Sequence, residues 1–123
     1  MKKLIFVFLL MAGLFVNTDA QTMQYVVYNA SSTVYDFKMA DSNGNEAEEL
    51  NIAPGEERNG GWVGFMFDFY WKGANSFGCD FNNQASGPVT ETTVGFPCFP
   101  PASYTYKIVQ VGFNDYVFKI SLN

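Results

Sequence analysis

The sequence predicts an all-β protein: a small antiparallel β-sandwich of seven or eight strands, with a small β-barrel as the alternative closure. Three observations predict it. Apolar residues alternate at period two in several short runs. Turn-forming residues recur roughly every 8 to 12 positions. Helix signals are nearly absent, with room for one helical turn at 46–50.

The elements follow in order. Residues 24–29 (QYVVYN) form a β-rich run. Thr33, Tyr35, Phe37 and Met39 alternate with Asp36 and Lys38, which makes an amphipathic strand. Residues 42–45 hold Asn43-Gly44, a hairpin turn in which both residues tolerate positive φ. The return strand points Leu50 and Ile52 inward, with Glu49 and Asn51 outward. Ala53-Pro54-Gly55-Glu56 is a second turn. A long aromatic strand covers 60–73, and a short strand is expected at 77–81. Residues 82–88 read as a polar loop and 89–94 (VTETTV) as a strand. Residues 95–101 form a stiff loop with three prolines. A final hairpin joins 104–113 to 116–122 about Asn114-Asp115. In its last strand Tyr116, Phe118, Ile120 and Leu122 face one way, with Lys119 and Ser121 opposite.

The first 20 residues read differently. Lys2 and Lys3 precede an apolar run of 13 residues at 4–16, and Thr18 and Ala20 resemble a small-residue cleavage site. The run falls short of the about 20 apolar residues that span a bilayer. Residues 1–20 are therefore expected to be a cleaved secretory signal peptide, and 21–123 a single domain. The product is expected outside the cytoplasm, extracellular or, from a Gram-negative source, periplasmic. No integral membrane segment is expected after cleavage.

Without Lys2, Lys3 and Asp19, five basic residues face eleven acidic ones, a net charge of −6. Nucleic-acid binding is disfavoured, because phosphates demand clustered Lys and Arg. Cys79 and Cys98, an even pair in an exported domain, are expected to form a disulfide. The chain has no His. That removes Ser–His and Cys–His catalysis and leaves two thiols unable to complete an ordinary zinc site. No carboxylate pair is placed for glycoside hydrolysis. No enzyme activity, cofactor or metal is expected. Asp41-Ser42-Asn43-Gly44-Asn45-Glu46 resembles a calcium loop, but Glu46 and Ile52 stand where such a loop needs Gly and Glu, and a hairpin turn explains the segment.

The stretch GGWVGFMFDFYWKG, 60–73, carries apolar residues on both faces. Val63, Phe65, Phe67, Phe69 and Trp71 are expected in the core. Trp62, Met66, Asp68 and Tyr70 lie on the other face, which is either covered or exposed as a binding platform. Tyr and Trp suit sugar rings and protein partners. Phe99, between prolines in the stiff loop, is a further candidate contact. The expected function is a non-catalytic recognition module for a glycan or a protein surface. One alternative is an assembly protein whose aromatic face is a subunit interface, so an oligomer is possible. In being short, acidic and aromatic-rich, the chain also resembles aegerolysin-like membrane-active proteins, which implies a lipid-binding β-sandwich as another alternative.

Overall fold

The computed structural model describes residues 21–98 and 101–123. The expected signal peptide at 1–20 and the candidate contact Phe99 lie outside the described residues. Nine strands are present among those described: β1 (Gln21–Asn29), β2 (Tyr35–Ala40), β3 (Glu46–Ile52), β4 (Glu57–Gly64), β5 (Phe69–Asn75), β6 (Asp80–Ala85), β7 (Val89–Phe96), β8 (Ala102–Gly112) and β9 (Asp115–Leu122). They form a five-stranded sheet, order β4-β1-β9-β8-β7, and a four-stranded sheet, order β3-β2-β5-β6. The two sheets pack face to face and remain open, so the architecture is a sandwich and not a barrel. Every pairing is antiparallel except β1 with β9, which is parallel.

The interior is an aromatic layer between the sheets. The Phe118 ring of β9 lies 5.0 Å from Trp71 and 5.6 Å from Phe69 on β5, and 6.1 Å from Phe37 on β2. At one side Trp62 sits 5.1 Å from Phe69; at the other Phe81 stacks 4.3 Å from Tyr104. Such ring pairs add about 0.5–1.5 kcal/mol each beyond the area they bury.

The long aromatic strand expected at 60–73 is two strands in two sheets. β4 ends at Gly64, a 3-10 turn spans Met66–Asp68, and β5 begins at Phe69. Each side of the turn keeps period two, but the turn moves the phase by one residue. Trp62 and Met66 therefore face inward on one side, and Phe69 and Trp71 on the other. Val63 and Phe67, expected in the core, are exposed at 58% and 72%. Phe65 is half-buried. The chain is aromatic at both parities because it serves one core from both sheets.

Smaller corrections have local causes. Residues 46–50 are strand, with no helical turn. Asn51 takes φ 56°, and the β2–β3 register shifts between Tyr35 and Phe37. Leu50 is consequently exposed, while Glu49 turns inward and accepts a hydrogen bond from the Tyr25 hydroxyl. Burial and then Glu49 push the Tyr25 phenol up to about 12. Residues 82–85, read as loop, belong to β6, where β5 supplies the hydrogen-bond partners that a polar run lacks by itself. Cys79 and Cys98 form the expected disulfide, with Cα atoms 5.5 Å apart.

Candidate ligand-binding surface

Of the candidate contacts, Asp68 and Tyr70 reach the surface, whereas Trp62 and Met66 are interior. A platform built on Trp62 and Met66 is corrected by the phase change at the 3-10 turn: both side chains fill the space between the sheets within one copy of the chain. The same burial removes them as a subunit interface.

Tyr70 stands on β5, in the middle of the four-stranded sheet, and is 42% exposed. Register builds the surface around it. Tyr70 faces Ala40 on β2 and Gln84 on β6, so a small side chain lies on one side and an amide on the other. One step along, Lys72 lies between Lys38 and Asn82. Directly opposed residues hold their Cβ atoms about 4.5–5.5 Å apart. Tyr70, Lys72, Asn82 and Gln84 therefore line one shallow depression. Lys38 donates to Glu46 at 3.1 Å. The hydrogen bond to Glu46, and its charge, raise the Lys38 ammonium above its ordinary range. Lys72, directly opposite, makes no ion pair with a described residue.

Asp68 belongs to the 3-10 turn before β5 and does not line this depression. Its Oδ2 accepts a hydrogen bond from the Ser42 hydroxyl, while Oδ1 is buried with no partner among the described residues. The chemistry available is therefore a flat ring with amide and ammonium donors beside it, and amide oxygens as acceptors.

The segment that resembles a calcium loop has another use. Asp41 is buried, and N–H groups fill both its carboxylate oxygens. Oδ1 accepts from the amides of Asn43 at 2.9 Å and Asn45 at 3.1 Å. Oδ2 accepts from the Asn45 side chain at 2.8 Å and the Phe65 amide at 2.8 Å. Burial alone lifts this carboxyl; the hydrogen bonds from Asn45, Phe65 and Asn43 outweigh it and hold the group below its ordinary range. Asp41 thus ties the β2–β3 turn to the corner between the sheets. Asn29, which begins a glycosylation sequon, is also buried, and its amide donates to the carbonyls of Thr33 at 2.7 Å and Ile52 at 2.8 Å.

Sequence reasoning missed Asn82 and Gln84 as cross-strand neighbours of Tyr70. The alternation of Asp80, Asn82 and Gln84 with Phe81 and Ala85 was the one available signal, and it is weak without a pairing partner. Compared with known proteins, the chain matches no family model, no curated protein and no solved structure.

Proposed function

We propose that the protein is an exported, non-catalytic recognition module that holds a saccharide chain against the outer face of its four-stranded sheet. The observation that carries this reading is Tyr70. A half-exposed aromatic ring stands mid-sheet, with Gln84 on the neighbouring strand and Lys72 and Asn82 one step away. A sugar ring stacked on the phenol removes apolar area from water on both partners, while its hydroxyls exchange hydrogen bonds with the amides. Export is supported by the sequence of residues 1–20 and by the Cys79–Cys98 disulfide.

A glycan array on the exported protein tests the reading. Tyr70→Ala is expected to abolish the binding seen with the unaltered chain, and Gln84→Ala to weaken it about tenfold, with the fold unchanged by circular dichroism. Equal binding by Tyr70→Ala removes this surface from the function.

A second reading has its own observation. Val63 pairs with Thr22, Thr22 with Asp115, and Asp115 with Gly112, so the β8–β9 hairpin tip shares one end of the sandwich with the 3-10 turn. Phe113 on that tip is 87% exposed, and Val111, Val63 and Phe67 nearby are exposed as well. Apolar tips gathered at one end suit shallow insertion into a lipid surface. The flanking Asp68 and Asp115 favour a neutral surface over an anionic one. Co-sedimentation with phosphatidylcholine vesicles is expected to be lost in the Phe67→Ser, Phe113→Ser double variant. Failure of the unaltered protein to sediment rules the reading out.

A further inference from the structure

The outer face of the five-stranded sheet carries a second feature, independent of the Tyr70 surface. Lys107 on β8 and Lys119 on β9 are directly opposed in the antiparallel register. Both side chains point away from the core, because Tyr106, Ile108, Phe118 and Ile120 on either side of them are buried. Like charges directly opposite one another destabilise a sheet. The other sheet repeats the arrangement with Lys38 and Lys72, but there Glu46 lies 3.1 Å from Lys38 and supplies a counter-charge. Among the described residues, no carboxylate forms an ion pair with Lys107 or Lys119. Residues 21–123 hold five basic residues, and two of them are placed together here.

The surroundings define what could take the missing charge. Lys107 and Lys119 line an open groove with Tyr28 and Ser121. Register sets Tyr28 between Glu57 on β4 and Ser121 on β9, in the row next to the lysines. The β7 bulge between Val89 and Thr92 leaves Glu91 beside the Lys107 position, on the same groove. The groove is therefore positive at its centre, hydroxylated along one row and negative at both margins. A single oxyanion fits the centre, and Glu57 and Glu91 oppose a second. Tyr28 and Ser121 offer a ring and a hydroxyl to the rest of the ligand.

We propose that Lys107 and Lys119 form an oxyanion site for a singly charged sugar unit, one that bears a carboxylate or a sulfate. The charge complementarity of an opposed lysine pair, ion-paired with no described carboxylate and set between two glutamates at the margins, supports this occupant over a neutral one. The proposal stands or falls separately from the saccharide reading at Tyr70, which lies on the opposite face of the sandwich.

Nuclear magnetic resonance titration of the exported protein tests it, with glucuronate, glucose 6-sulfate and glucose as probes. The expected result is saturable shifts at amides of β8 and β9 with one or both acidic sugars and none with glucose. The two acidic arms distinguish carboxylate from sulfate as the source of the charge. Lys119→Gln and Lys107→Gln are each expected to weaken the binding about tenfold, since each removes one charge-assisted hydrogen bond. Both side chains face solvent, so the variants are expected to keep the unaltered amide spectrum elsewhere. The Tyr70→Ala variant is expected to bind the acidic sugars normally, which separates this site from the other. No saturable shift with either acidic sugar overturns the proposal. So does an equal response to glucose, or unchanged binding in the Lys107→Gln, Lys119→Gln double variant.

Discussion

Asp41 shows how one side chain fixes a local geometry. Four N–H donors surround a buried carboxylate, and they come from the β2–β3 turn and from Phe65, just past the end of β4. Asp41→Asn replaces one acceptor oxygen by an amide that meets an N–H head-on. We expect a loss of about 2 kcal/mol at neutral pH, measured by urea unfolding. The pH dependence has a definite sign. The folded carboxyl lies below its ordinary value of 3.8, so its contribution is complete above that value and is lost as pH falls through the folded pKa. The variant is expected to lack this acid-side loss, so that its stability and that of the unaltered chain converge as pH falls through and below that range. The tyrosines and tryptophans divide similarly by context. Tyr70 is half-exposed, while the indole N–H groups of Trp62 and Trp71 are buried without a partner among the described residues.

At the scale of elements, the corner 64–69 decides which side chains meet the core. A strand read at period two places Val63, Phe65, Phe67, Phe69 and Trp71 together; one 3-10 turn reassigns the first three. Gly64 makes the corner possible. A Cβ there lies 2.2 Å from the Trp62 ring and 2.6 Å from Asp41 Oδ2, so Gly64→Ala must displace a buried indole or a buried carboxylate. Overpacking of this kind costs about 1–3 kcal/mol. A thermal melt of Gly64→Ala is expected to show that loss, and an unchanged midpoint contradicts the packing described. The strands themselves were legible wherever alternation was strong: Tyr35, Phe37 and Met39 on β2, and Tyr116, Phe118, Ile120 and Leu122 on β9, face inward as their spacing requires. β6 was not, because Asn82, Asn83 and Gln84 have little strand preference of their own and are strand only because β5 pairs with them.

Across the whole molecule, the first strand lies parallel to the last, and β9 stands between β1 and β8 in the middle of its sheet. The Cys79–Cys98 bridge joins the turn before β6 to the chain after β7, and so connects the two sheets at one end of the sandwich. It closes a loop with a sequence separation of 19, which constrains the unfolded chain by about 3 kcal/mol in the chain-entropy account. Replacement of both cysteines by serine is expected to lower stability by about that amount while the far-ultraviolet circular dichroism stays native, as checked by urea unfolding under non-reducing conditions. A loss well under 1 kcal/mol places the constraint elsewhere.

By itself the sequence determined the class of fold, the strong strands, the cysteine pair and the exclusion of His-dependent chemistry, because alternation, turn residues and composition are local properties of the chain. Tertiary structure alone decided the phase change at Met66–Asp68, the burial of Trp62 and Met66, the parallel β1–β9 pair, and the register that sets Tyr70 beside Gln84 and Lys107 opposite Lys119. Those depend on which strand lies next to which. Residues far apart along the chain choose their neighbours by filling one shared aromatic interior, and no stretch of sequence carries that choice alone.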